Sequence, residues 1–328
     1  MPVRFIRAGI AHSGVPFGVP SSTRAPLSRE RVGIVFAFSA FLLWGVLPGY
    51  FLLMKPAGPF EIVAWRIVFS LVFCAVLLTV TRAWPAFFAI LRQPKLLLLM
   101  ALAAALIFAN WQIFVLATLS GHVIETSLGY FINPIVTVLL GVTLLGERLR
   151  PLQWTAVGVS VVAVLVLAIN YGVFPWISLT LAFSFGLYGL VKKKVGPQVD
   201  AVSGLTLETL WLFPVAVVQL IVVGLSTGLV IGTVSLGHTL ILVSAGVVTA
   251  TPLLFFAAAS RRLPLVYTGL IQYVAPVLQF LFGAFVLHEA MPTARWIGFG
   301  LVWLALVMLS IDLVAAGRAS RRASTLPG

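Results

Sequence analysis

Apolar residues in this chain come in long unbroken runs separated by short polar breaks, with neither the alternation of a strand nor the narrow stripe of a surface helix. Runs of about 18 to 22 residues match the length needed to cross a hydrocarbon core about 30 Å thick. Ten are readable: 33–54, 61–81, 96–118, 124–145, 152–170, 174–191, 203–225, 239–259, 265–287 and 295–314. The connections are too short for a soluble domain, and no segment alternates as a barrel strand would. The pattern predicts an all-α integral membrane protein with ten transmembrane helices.

Composition agrees. Hydrophobic residues make up 61% and charged residues 9%, with a mean hydropathy of +1.13, against about 45–50% apolar and about 25% charged in soluble domains. The net charge of +13 would suggest nucleic acid in a soluble chain, but its distribution points elsewhere. Arg4, Arg7, Arg24, Arg29 and Arg31 precede the first run; Arg82, Arg92 and Lys95 follow the second; Arg148 and Arg150 the fourth. Lys192, Lys193 and Lys194 close the sixth, Arg261 and Arg262 follow the eighth, and Arg318, Arg321 and Arg322 the tenth. Only Lys55 and Arg295 fall on the opposite side, with Arg66 inside run two. The bias of basic residues to cytoplasmic loops places both termini in the cytoplasm and requires an even number of spans. No nucleic-acid partner is expected. Residues 1–31, with five Arg and four Pro, lack the apolar core of a signal peptide and read as a flexible basic tail, an extension or a misassigned start; 315–328 read as a second basic tail. Cys74, the single cysteine, reads as a small core residue.

A shift of 142 residues brings Pro134 onto Pro276, Gly141 onto Gly283, Glu147 onto Glu289, Trp154 onto Trp296 and Gly158 onto Gly300 without a gap. The same register sets Thr126 on Thr268, Ala117 on Ala259 and Arg66 opposite Glu208. Glu and Trp are scarce in this chain, so chance is a poor explanation. Each half, 32–170 and 171–314, then holds five spans, and an odd number obliges the second half to enter the membrane upside down. Inverted repeats are a recurring plan of secondary transporters, whose site lies near the midplane.

Charged and amide groups within the runs are costly unless they face protein or water, and so are candidate functional groups. Arg66 and Glu208 suit a gate or a charge that meets substrate from each side; the alternative is snorkelling to the interface. Asn110, Trp111 and Gln112 in "ANWQIF", Tyr130 and Asn133 in run four, and Gln272 and Tyr273 in run nine supply a polar and aromatic set. Either ligand contact or helix–helix hydrogen bonding accounts for each. Trp44 and Tyr188 correspond under a shift of 144 and are candidates to face the same cavity. His122 and Glu125 read as interfacial or as proton or ligand groups. Pro134, Pro252 and Pro276 predict helix kinks that free backbone carbonyls, while Gly141, Gly158, Gly283 and Gly300 read as close-packing points. Trp84 and Trp176 read as interfacial anchors.

Other chemistry is absent from the sequence. No metal-ligand cluster, H-E-x-x-H, Walker A or Rossmann pattern occurs, so neither a metal nor a cofactor is expected. A nucleophile with a partner base is also missing, which argues against an enzyme.

"GYFINP" (129–134), "ANWQIF" (109–114), "LAFSFGLYGLVKKK" (181–194) and "ETLWLFPVA" (208–216) together resemble the RarD-type, EamA branch of the drug/metabolite transporter superfamily over about residues 32–313. This resemblance implies an inner-membrane permease of ten helices in two inverted five-helix EamA repeats around a central cavity, with chloramphenicol or amino-acid-like compounds among the substrates of the group. It sets Asn133, Pro134 and Glu208 in family motifs without defining a substrate site. The expectation is a secondary transporter exporting a small amphipathic metabolite or drug by alternating access. A passive channel or facilitator is the alternative, and an integral membrane enzyme a lesser one. Partners are a small-molecule substrate and membrane lipid; proton coupling, transport direction and oligomeric state stay open.

Overall fold

A computed structural model describes residues 29–145, 149–171, 174–196, 198–260, 262–263 and 271–324. Glu147, Arg148, Arg261 and Thr268 lie outside the described residues. Within them the backbone is helical and contains no strand. Helicity follows from the solvent: in lipid every backbone N–H and C=O needs an internal partner, and an apolar run supplies one only by coiling.

The helices are α1 (Arg29–Leu52), α2 (Pro59–Val80), α3 (Trp84–Leu91), α4 (Pro94–Leu119), α5 (Val123–Leu145), α6 (Pro151–Tyr171), α7 (Trp176–Val195), α8 (Ala201–Ser226), α9 (Leu236–Ser260), α10 (Val274–Leu281) and α11 (Thr293–Ser324). Seven, namely α1, α2, α4, α5, α8, α9 and α11, are long and apolar enough to cross a membrane, and three shorter apolar helical stretches lie at Pro151–Leu167, Trp176–Lys192 and Val274–Val286.

Two local departures from the sequence reading have clear causes. Pro276 was expected to kink a continuous span over 265–287. Instead Gln272 and Tyr273 form a turn, the helix restarts at Val274, and Pro276 sits in its first turn, where a missing N–H costs nothing. The chain then widens into a π turn at Phe282–Val286. The second departure is α3, which the sequence reading treated as a connection. It buries Phe87 and Ile90 and exposes Phe88, while the Trp84 indole donates to Thr79 Oγ1 at 3.0 Å. That packing at one end of the bundle, against Leu96, Met100, Val195 and Leu207, suits an interfacial helix. Pro134 and Pro252 stay inside unbroken α5 and α9, as Pro48 and Pro214 do in α1 and α8.

The helices pack in a defined set of pairs. α2 lies along α8 and α9, α4 along α7 and α8, α1 along α9 and α10, α5 along α7 and α10, and α6 along α11. Large apolar side chains such as Leu98, Ile169 and Leu225 cover the outside, as lipid contact requires. Because lipid tails are as apolar as leucine, close packing rather than hydrophobic exclusion holds such helices together. Gly246 lets α9 approach the α2 backbone closely: a Cβ there would stand 2.3 Å from the Phe69 carbonyl group. Gly129 meets the Ser178 carbonyl of α7, and Gly283 meets Ile124. Gly158 and Gly300, expected as contact points, face open space.

One glycine shapes the site directly. Gly121 takes φ +75 after α4, a left-handed turn that only glycine adopts freely, and His122 N–H closes back on the Ala117 carbonyl at 2.9 Å. The turn sets α5 antiparallel to α4, which brings Tyr130 beside Asn110.

Candidate functional site

A cavity of about 700 Å³, its open mouth included, lies among α1, α2, α4, α5, α7, α9 and the break before α10. Its walls are mostly aromatic and aliphatic: Phe41, Trp44, Trp111, Phe114, Phe185 and Leu253 are among them. Among the described residues, Arg66, Asn110, Tyr130, Asn133, Gln272 and Gln279 bring polar side chains to it. An apolar cleft with a few convergent polar groups is the usual form of a small-molecule site.

The two asparagines singled out in the sequence bond within the protein. Asn110 Nδ2 donates to the Leu181 carbonyl at 3.2 Å and to Ser184 Oγ at 3.1 Å, while its Oδ1 accepts the Tyr130 hydroxyl at 2.9 Å. Asn133 Nδ2 donates to the Ala182 carbonyl at 2.9 Å. Both side chains therefore tie α4 and α5 to α7, the helix–helix role left open by the sequence. Gln112 lies outside the cavity and accepts from Gln219 of α8 at 2.8 Å.

Arg66 is different. Only 3% exposed, its Nε donates to Thr249 Oγ1 of α9 at 2.7 Å. The guanidinium carbon sits 4.3 Å from the Trp111 ring centroid and 5.3 Å from that of Phe51. Nη1 has no hydrogen-bond partner, and no carboxylate among the described residues pairs with it. Two aromatic faces hold the cation electrostatically but leave Nη1 free.

Other expected site residues stand elsewhere. Glu208, buried in α8, accepts from Lys192 Nζ at 2.7 Å and from the Tyr188 hydroxyl at 3.1 Å. Its charge is met by Lys192, and neither Glu208 nor Tyr188 lines the cavity. The expectation that Tyr188 faces it is therefore corrected: the Glu208 carboxylate draws the phenol toward α8. Tyr273 is likewise corrected. It packs on the core formed by α5, α6 and α11 and is not among the residues lining the cavity. Trp44, Arg66, Asn110, Trp111, Tyr130, Asn133, Gln272 and Pro276 do border the cavity.

Gln279 was missed. It donates from Nε2 to the Trp44 carbonyl at 3.1 Å, and its buried Oε1 has no partner. A glutamine in the apolar stretch "VLQFL" was the available signal. Glu61 was missed as well. Its Oε1 accepts from the N–H groups of Val230 and Ile231 at 2.8 and 3.1 Å and from the Trp65 indole at 3.2 Å, so it fastens a loop rather than serving the cavity.

At the end of the bundle where α5 begins, Glu289 accepts from the Val123 and Ile124 N–H groups at 2.6 and 2.9 Å. Burial pushes its carboxyl above the usual range, while those N–H groups, Arg295 and His122 oppose the shift. Glu125 pairs with Arg295 at 3.3 Å nearby, giving it an interfacial role. Arg150 and Asp312 join α6 to α11 at 2.7 Å.

Comparison with known proteins agrees with this architecture. The EamA-like transporter family model matches residues 31–169. Protein RarD of Streptomyces exfoliatus is 47% identical over 90% of this chain and 93% of that protein, and Protein RarD of Escherichia coli (strain K12) is 38% identical over 88% and 97%. The Chloramphenicol-sensitive protein RarD of Pseudomonas aeruginosa is 34% identical over 85% and 94%. A crystal structure at 20% identity superposes with a TM-score of 0.57 over 87% of this chain and 99% of its own, a likeness of fold alone. The chain belongs to the RarD group of the EamA-like transporter family, in the drug/metabolite transporter superfamily, and is a multi-pass membrane transporter.

Proposed function

We propose that the chain is a secondary transporter that exports a small amphipathic metabolite or drug by alternating access between two inverted five-helix halves, residues 32–170 and 171–314. Both termini are cytoplasmic in this reading, and the membrane is the bacterial inner membrane.

One observation supports it above the others. When the spans of the first half are exchanged with their counterparts in the second, the nine main packing pairs return to themselves as a set, while the slighter contacts, such as α1 with α4, do not. α5 on α7 becomes α10 on α1, α4 on α7 becomes α9 on α1, and α2 on α9 becomes α8 on α4. The pairs α2 with α8 and α6 with α11 exchange with themselves. An approximate two-fold relation of this kind, with an aromatic cavity where the halves meet, is what lets one half rock against the other around a fixed site.

The test is counterflow in liposomes containing the purified protein. They are preloaded with chloramphenicol or aromatic amino acids, with and without a pH gradient. Saturable exchange supports the carrier, and a response to the gradient implicates protons. Flux that neither saturates nor shows counterflow is a facilitator's behaviour and overturns the reading.

A further inference from the structure

The polar inventory of the cavity narrows what it can hold. Among the described residues of the lining, Asn110, Tyr130 and Asn133 donate or accept within the protein, Gln272 adds an uncharged amide, and two buried atoms have no partner: Arg66 Nη1 and Gln279 Oε1. A buried cation without a counter-charge is costly in a membrane, and guanidinium presents a planar fork of donors that matches an oxyanion. We propose that Arg66 anchors a monoanionic oxyanion group, a carboxylate in the first instance, on a substrate whose aromatic body lies against Trp44, Trp111 and Phe114. This deepens the transporter reading and rests on it.

Charge limits the choice to a monoanion. Among the described residues lining the cavity Arg66 is the one cation, with no acid beside it, so a single negative charge neutralises the site and a dianion overshoots. Lys192 is held by Glu208 outside the lining and supplies no second positive charge. Trp111 and Thr249 fix the guanidinium from its face and from Nε, and hold Nη1 ready at little further ordering cost. Gln279 Oε1 adds an acceptor for a donor on the same ligand.

Two acid and amide pairs test this by calorimetric titration of the purified full chain: 3-phenylpropionate against 3-phenylpropanamide, and indole-3-acetate against indole-3-acetamide. Each acid should bind at least about tenfold tighter than its amide, since a charge-assisted hydrogen bond of this kind is worth that factor or more. Arg66→Gln should reduce the ratio to within about twofold, and Arg66→Lys should keep part of it. If Arg66→Gln fails to fold, Arg66→Lys and Thr249→Val carry the test through a narrowed ratio. Equal binding of acid and amide to the native protein, a ratio unchanged in the variants, or no binding by folded protein each overturns the proposal. Counterflow of the same compounds separates it from the transport reading. Arg66-dependent binding without exchange removes the carrier and keeps the anion site; exchange of the amides but not the acids does the reverse.

Discussion

The Arg66 guanidinium stands 4.3 Å from the Trp111 ring centroid, facing an aromatic surface where a buried arginine ordinarily meets a carboxylate. It is held in place by α2, α4 and α9 without being neutralised by any of them. Groups kept in this state carry a stability cost that function explains better than folding does.

Replacing Arg66 by methionine therefore separates the two roles. Removing an uncompensated buried charge in favour of an apolar side chain of similar length is often neutral or stabilising, so Arg66→Met should change unfolding stability by less than about 1 kcal/mol while transport is lost. Thermal unfolding in detergent beside a flux assay checks it. A loss above about 3 kcal/mol would make Arg66 a packing element.

The Lys192–Glu208 pair should respond in the opposite way. Lys192→Met leaves Glu208 buried and unpaired except by Tyr188, at an expected cost of about 3–5 kcal/mol. Lys192→Met combined with Glu208→Gln should recover most of that. A double-mutant cycle on unfolding reads the coupling directly; additive losses would mean that the two charges act separately.

Glu289 gives a pH signature. Its carboxyl is raised in the folded protein, chiefly by burial, so the fold binds that proton more tightly than the unfolded chain does. The stabilisation is present below the unfolded value and is lost as pH rises through the folded one. Subtracting the stability of Glu289→Gln from that of the native protein at each pH should give a difference that falls as pH increases above about 4.5. A flat or rising difference would contradict it.

Two glycine substitutions should diverge. Gly246→Ala places a methyl 2.3 Å from the Phe69 carbonyl and should cost about 1–3 kcal/mol or more, because backbone must move. Gly158→Ala enters open space in α6 and should stabilise the helix by about 0.5–1 kcal/mol. Parallel melting curves decide the matter.

The membrane class, the long apolar runs and the register of the repeat are properties of sequence alone, because hydrocarbon thickness fixes run length and coincident Glu, Trp and Pro survive a simple shift. The polar set was legible too, since an amide or a cation inside an apolar run is conspicuous one residue at a time. What each of those groups faces was not. Asn110 and Asn133 find their partners on α7, 71 and 49 positions away, and Glu208 finds Lys192 across a helix boundary, so their buried hydrogen bonds exist only once the helices are paired. Span periodicity could not foresee the break at Gln272 and Tyr273, where Gln272 borders the cavity and Tyr273 packs on a core. Nor could it separate Arg66 from Glu208. Their symmetric positions look equivalent on paper, and only packing gives Glu208 a counter-ion and turns Arg66 toward the cavity without one.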